Sequence, residues 1–341
     1  MKKVTLILGL MLTSITFAQE TTPASTPLEI SGSADGYFKY DFSKNENIPT
    51  SFATDHGSFS LGMLDLILKK TSGKFSFVGD VAFGPRGQYQ SVPNGDGTAL
   101  NADNSFNIQN LYGTYTFSDK LSVTAGYAGT FIGYEVISPV ANFHYSTSYL
   151  FTNGPFQHAG VKANYKVSDK FGAMVGIFND QWNVYKNPTG AAALGGQLSY
   201  AVDGVSAYLN FMDGKSSGTI VDLTAAFQIT KEFKLGVNGA DFKHGSSPNV
   251  QYDYTGFALY PSYAISDAFA LGLRGEYFSY KTAATDWDVT AITLSGNYKL
   301  GSLTLIPEFR FDNNSEEVFM DVDMMGTKSA AQFLVAGVYS F

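Results

Sequence analysis

Charged side chains recur at alternate positions inside otherwise apolar segments. Asp35, Lys39, Asp80, Lys162, Lys166, Asp222, Arg274, Glu276, Glu308 and Arg310 all fall on the polar parity of their segments, as do Asp65, Asp180, Lys234 and Asp312. Residues two apart on a strand point to the same face. Arg274 and Glu276 therefore form one short row, and Glu308, Arg310 and Asp312 another. On the inner wall of a tube, charges of both signs set up a transverse field that orients polar solutes and biases ion flow. The plainer alternative is that they pair across strands and keep the interior wet. The Arg274 and Arg310 rows lie two segments apart, so matching registers would join them into one ladder.

Other chemistries find little support. The chain has no cysteine, which excludes thiolate catalysis, disulfides and a lipid anchor on Cys. His56, His144, His158 and His244 are far apart in sequence, and no pair has metal-ligand spacing such as His-x-x-x-His. No histidine sits inside a strand beside a matching serine; His158, at the start of a strand, comes nearest to a hydrolase arrangement. Asn94-Gly95-Asp96-Gly97 and Asn101-Ala102-Asp103-Asn104 offer oxygens to calcium but lack the EF-hand spacing, so loop 85–105 reads better as turn-rich. No glycine-rich loop precedes a helix, as phosphate binding would need. We therefore expect no catalytic, cofactor-binding or metal-binding residue, and no enzyme.

The elements that must position the charges are read from a rhythm. Of 341 residues, 44% are hydrophobic and only 15% charged, against about 25% charged in soluble proteins. Tyr (21), Phe (28) and Gly (35) are abundant, as suits strands with interfacial aromatic girdles. About sixteen alternating segments follow one another between residues 28 and 341. Leu303, Leu305, Pro307, Phe309 and Phe311 oppose Thr304, Ile306, Glu308, Arg310 and Asp312. Phe333, Val335, Gly337, Tyr339 and the terminal Phe341 share one face. Short turns (Thr71-Ser72-Gly73, Ser118-Asp119-Lys120, Ser168-Asp169-Lys170, Asp203-Gly204, Lys231-Glu232, Ser266-Asp267, Gly301-Ser302) rotate strictly with longer loops. This predicts an all-β fold, a transmembrane antiparallel up-and-down β-barrel of sixteen strands. Its short turns would face the periplasm and its longer loops the outside, with lipid around it and water within.

Lys2 and Lys3, the apolar run Val4 to Phe17 and Thr16-Phe17-Ala18 before Gln19 read as a signal peptide over 1–18. Residues 19–27 read as a flexible periplasmic leader, and 28–341 as the barrel. The formal charge of -8 argues against nucleic acid as a partner.

Loop 131–156 is the most specific feature after the barrel. Glu135 is its sole charged residue, while Phe131, Tyr134, Phe143, Tyr145, Tyr149, Leu150 and Phe151 load it with apolar surface. Surface loops are normally polar, and each such side chain gains about 1.5–3 kcal/mol on burial. We expect the loop to fold into its own lumen as a constriction, with Tyr134, Glu135, Phe143, His144, Tyr145, Tyr149 and Phe151 lining it. A cap across the mouth or a subunit contact is the alternative.

At Tyr149-Leu150-Phe151-Thr152-Asn153-Gly154-Pro155-Phe156 running into Gly160-Val161-Lys162, the chain resembles the OmpL-like β-barrel porins of Bacteroidota. The Gly133-Tyr134-Glu135 start, the Ser-Asp-Lys turns and the final aromatic share that style, and the resemblance covers essentially the whole mature chain. It implies a porin-like barrel in the outer membrane of a Gram-negative bacterium and carries over no catalytic residue. The reading is then a channel for passive diffusion of small polar solutes. A non-conducting binding or structural barrel is the runner-up, and an outer-membrane hydrolase a distant third. The expected partners are outer-membrane lipid, the solutes and, through Phe341, the barrel assembly machinery; a homotrimer is open by analogy.

Overall fold

A computed structural model describes residues 25–86, 92–93, 106–184, 191–247 and 251–341. Sixteen strands close into a single antiparallel barrel. In chain order they are Glu29–Asp41, Phe59–Ser72, Phe75–Phe83, Phe106–Ser118, Leu121–Gly129, Gln157–Lys166, Phe171–Asn179, Ala191–Val202, Val205–Gly214, Gly218–Gln228, Phe233–Lys243, Tyr252–Ala264, Phe269–Thr282, Asp286–Leu300, Leu303–Asn314 and Ser329–Ser340. Each strand pairs with its neighbours in sequence, and the last pairs with the first from Ser33↔Ser340 to Asp41↔Gln332. Beyond that ladder, Gly32 and Phe341 exchange both backbone N–H···O bonds at 3.0 Å. Closure matters because an open edge in hydrocarbon leaves every N–H and C=O on it without a partner.

The faces follow the sequence alternation. Leu271, Leu273, Tyr277, Ile292, Leu294, Phe309, Phe311, Phe333, Val335 and Tyr339 are exposed on the outside. Their neighbours Arg274, Glu276, Thr293, Ser295, Glu308, Arg310 and Gln332 are buried on the inside. A belt of exposed Leu, Ile and Phe around a core of charge is unfavourable in water and suited to hydrocarbon. Gly73, Gly204 and Gly301 adopt positive φ in the short turns, the conformation that tight hairpins demand.

Two expectations need correction. The inner face is not polar throughout. On the long-loop halves of the eleventh to fourteenth strands, Phe242, Tyr254, Phe278 and Val289 point inward and are buried together. They alternate with outward residues as the pleat requires, but they pack on side chains from a loop instead of facing water. The end of the leader is not free either: Thr26 N donates to Thr71 O at 3.0 Å, laying residues 25–26 along the second strand. The signal-peptide reading, and the Asn94 to Asn104 oxygens weighed for calcium, fall outside the described residues.

Gly126 gives the fold a point of test. It sits in the strand Leu121–Gly129 with φ +136°, and a Cβ there would collide with the Leu111 carbonyl and the Tyr112 backbone. Gly275 has open space around its Cβ position. Gly126→Val should lower the stability of the lipid-inserted barrel by about 1–3 kcal/mol or more, read as the urea unfolding midpoint, while Gly275→Ala should leave it nearly unchanged.

Candidate functional site

Residues 130–156 are tied by hydrogen bonds to inward side chains on several strands of the wall. Near one end, Gly133 N donates to Asp222 Oδ1 at 3.0 Å. Further on, Tyr145 N donates to Glu308 Oε2 at 2.8 Å and Tyr149 N to Glu276 Oε2 at 2.8 Å. A one-turn helix, Tyr149–Asn153, starts where Ser148 caps it by accepting from Phe151 N. Its first N–H groups, which no helix satisfies internally, are thus met by Ser148 and Glu276. Gly154 N closes the turn onto Leu150 O.

The two arginines that the alternation placed inward form the centre of this seat. Arg274 donates from Nε to Glu276 Oε1 at 2.7 Å and from one terminal nitrogen to Glu135 Oε1 at 2.8 Å and Ser146 O at 2.6 Å. Its other terminal nitrogen reaches Thr147 O and Thr293 Oγ1. Arg310 donates to Asp312 through Nε and a terminal nitrogen, and to Thr147 O at 2.8 Å and Thr50 Oγ1 at 3.1 Å. Both guanidiniums are wholly buried. The ladder anticipated between the rows is real: Arg274 and Arg310 are each register partners of Thr293, and Arg310 lies 3.9 Å from Glu276. Each positive charge is matched at once by carboxylates from wall or loop, which is what makes burial tolerable.

Inward glycines provide room for the loop. A Cβ at Gly236 would strike Tyr134, one at Gly256 would strike Leu150, and one at Gly272 would strike Phe143. Tyr134 stacks on Tyr260 with centroids 4.4 Å apart. Tyr149 stacks on Phe278 and donates from its hydroxyl to Asp312 Oδ2 at 2.8 Å. The Tyr145 hydroxyl donates to Asp35; burial raises it far above the ordinary phenol value, so it keeps its proton. Phe143 is half-buried, its carbonyl accepting from Asn297, and Phe151 packs on Phe52 and Phe156.

The remaining wall charges are dispersed. Asp35 and Asp80 are buried on the first and third strands, and Lys39 donates to Thr54 O at 2.6 Å. Asp222 accepts from Asn210 and Asn238 as well as from the loop. Lys162 is half-buried. Lys166 lies exposed at the short-turn rim, paired with Asp169 at 2.7 Å.

Three participants were missed in the sequence. Arg86 lies between the rings of Phe52 and Tyr145, at 4.5 and 4.7 Å, and donates from Nε to Ile137 O at 2.8 Å. Loop 42–58 also turns inward, with Ser51 N on Thr152 Oγ1 and Thr147 Oγ1 on Ser51 O. The third is Ser295, whose Oγ lies 2.7 Å from His144 Nδ1; this joins a loop histidine to a strand serine and so lies outside the expectation drawn for histidines within strands. The two are joined by a fold contact between residues 151 positions apart. Ser295 Oγ donates to Glu308 Oε2 at 2.8 Å, away from the imidazole. Burial, then Arg274, hold His144 well below the ordinary histidine value. His158, the other candidate, contacts Thr130 Oγ1 between Phe131 and Phe178.

Space remains beside the loop. A cavity of about 520 Å³ lies between it and the short-turn end, lined by Tyr134, Glu135, Phe143, His144, Lys234 and Lys299 among others. Others of about 280 Å³ and 190 Å³ flank it. Among the described residues, no group of three His, Asp or Glu side chains could hold a metal ion.

A family model described as "Putative beta-barrel porin-2, OmpL-like" matches residues 27–341. No curated protein matches the chain. Among solved structures, in-vitro folded OmpT of Vibrio cholerae superposes with a TM-score of 0.61 at 14% identity, covering 94% of this chain and 99% of that one. Salmonella typhi OmpF, in complex with daunomycin, gives 0.62 at 11% identity over 92% and 97%. Pseudomonas putida OprB gives 0.58 at 11% over 92% and 94%. At such identities the likeness is one of fold.

The buried pairs set the next test. Arg274→Met strands Glu135 and Glu276 without their shared cation, and should cost about 3–5 kcal/mol in urea unfolding of the lipid-inserted protein. Lys166→Met, at the exposed rim, should cost at most about 1 kcal/mol.

Proposed function

The chain belongs to the family of OmpL-like β-barrel porins, and from that premise we propose that it is an outer-membrane channel for passive diffusion of small polar solutes, narrowed by loop 131–156. One observation carries the reading: the loop's own backbone is hydrogen-bonded to carboxylates on three different strands of the wall, Asp222 on the tenth, Glu276 on the thirteenth and Glu308 on the fifteenth, while the Tyr145 hydroxyl reaches Asp35 on the first. A segment held that way reduces the bore without leaving the barrel, and cavities flank it. Sixteen strands enclose more space than side chains alone can fill.

In this reading Tyr134, Phe143, His144, Tyr145, Tyr149 and Phe151 give the loop its bulk, and Glu135 ties it to Arg274. Asp35, Lys39, Asp80, Lys162 and Asp222 set the field around it, with Arg274 and Arg310 largely neutralised by Glu135, Glu276 and Asp312, Glu308 taken up by the loop backbone, and Lys166 out at the rim. The barrel would lie in the outer membrane of a Gram-negative cell, short turns to the periplasm, after loss of residues 1–18 and with 19–27 leading in. Phe341 would engage the assembly machinery. A related solved structure is of the trimer form of Vibrio cholerae OmpT, and a homotrimer is proposed here by analogy.

A second reading has a specific observation behind it. Tyr145, Thr147, Arg274 and Arg310 are without solvent exposure, so the waist on that side is packed solid, as in a non-conducting barrel. The hydrolase reading loses ground because Ser295 and His144 are buried and the serine proton is directed to Glu308.

Planar-bilayer recording of the full chain separates these. We expect discrete conductance steps, larger by severalfold in a variant whose residues 138–148 are replaced by a short Gly-Ser link, and larger in smaller measure for Tyr145→Ala. Steps that appear only after the loop is removed would mark a plugged barrel. Silence from both wild type and variants would overturn the channel.

A further inference from the structure

Among the described residues, two inward carboxyls on adjacent strands each keep a buried oxygen that no donor meets. Asp65 and Asp80 stand on neighbouring strands in the register Asp65↔Ala82 and Ile67↔Asp80. They are thus diagonal neighbours on the inner face, within reach of one another through about 7–8 Å or less. Asp65 is 3% exposed and Asp80 7%. Asp80 accepts from Asn110 Nδ2 at 2.7 Å through one oxygen. Among the described residues no donor meets its other oxygen, Oδ1, or Asp65 Oδ1, and the two carboxyl groups lie close enough to hydrogen-bond one another whenever they share a proton.

A third group points the same way independently of the carboxylates. Gln157 is 1% exposed and donates from Nε2 to Gln109 Oε1 at 3.0 Å, which leaves its own Oε1 as a buried acceptor without a donor. Asp65, Asp80, Gln157, Gln109, Asn110 and Glu135 all line the cavity of about 190 Å³ between the loop and the wall. Among the described residues lining it there is no Lys or Arg. Arg86 is committed to the Ile137 and Tyr145 carbonyls. Three buried oxygens that no donor meets among the described residues line one space, which suits water, a shared proton or a cation as its occupant.

We propose that this cavity is a binding site for a small monovalent cation, held by Asp65 and Asp80 and by the Gln157 carbonyl oxygen, and that it makes the channel cation-preferring. A tight divalent site is not built here, since no group of three acidic or histidine side chains converges among the described residues. The cavity has room for roughly six waters at about 30 Å³ each, so the ion keeps part of its hydration shell. Weak, multi-oxygen coordination of this kind lets an ion enter and leave, as conduction requires. The inference deepens the channel reading and rests on it for transport, though not for binding.

The test uses the full chain with Asp65→Asn and Asp80→Asn, singly and together, and Gln157→Leu, each checked for folding by heat-modifiable gel mobility. Thallium(I), a potassium-sized probe, is titrated into detergent-solubilised protein and followed by its NMR line width. Wild type should show saturable broadening that potassium competes away and the double variant lacks. In bilayers under a potassium chloride gradient, the wild-type cation-to-anion permeability ratio should exceed one and fall by about threefold or more in the double variant. Absence of saturable thallium binding to wild type, or binding undiminished by the substitutions, overturns the site. Thallium binding that the variants lose, from a protein that passes no current, keeps the site and overturns the channel. Current with unchanged selectivity overturns the role of the site in permeation.

Discussion

A backbone threaded through the middle of a barrel has no sheet to join, so its buried peptide groups must be answered from the wall or from within the segment itself. Here charged side chains give that answer. The Thr147 carbonyl receives N–H groups from both Arg274 and Arg310. The N–H groups of Tyr145, Ser148 and Tyr149 go to Glu308, Glu135 and Glu276. Remove the charges and the loop backbone would be buried with unmet polar groups; remove the loop and the two guanidiniums would lose several of their partners. Each makes the burial of the other tolerable, and the packing of Leu150 over Gly256 and of Tyr149 on Phe278 follows from where that mutual seat puts the helical turn.

Period-two patterning was legible in the sequence because the pleat enforces it at every strand. That is why strands, turns and the inward parity of Arg274, Glu276, Glu308 and Arg310 could be read from residue types alone. The unusual apolarity of 131–156 also showed, since a solvated loop has no use for so many rings. What could not be read was who meets whom. Glu135 and Arg274 are 139 residues apart and His144 and Ser295 are 151 apart; no local rule connects them. Arg86 lay at the edge of a stretch that looked like plain turn. The inward Phe242, Tyr254 and Phe278 broke the expectation of a polar lumen because their partner is the loop, not water. One cue was present: Gly236, Gly256 and Gly272 all sit at inward positions on consecutive strands, where the missing Cβ marks the approach of something bulky.

The two sides of the lumen differ in electrostatic state. On the thirteenth to fifteenth strands, guanidinium and carboxylate alternate at hydrogen-bond distance and are shut away from solvent. A field built from such close opposite charges cancels within a short distance, so the ladder that dominates the sequence is mostly a fastening. On the first to third strands the balance is unequal. Asp35 takes donors from Tyr145 and Met63, whereas Asp65 and Asp80 each keep one oxygen that no donor meets among the described residues.

This asymmetry bears on how a seated loop and a conducting pore can coexist. A segment tied at several points to different strands of the wall cannot swing aside without breaking charge-assisted hydrogen bonds, each stronger than a neutral one. On the channel reading, passage must therefore run past the loop, not depend on its removal, and must follow the side that is not packed. The arginine side offers bound guanidiniums and stacked rings. The other side offers a cavity lined by Asp65, Asp80 and the Asn110 and Gln157 amides. Selectivity would then be written by the less conspicuous wall, where free charge outlasts the fastening of the loop, and the width of the path would be fixed by the fold.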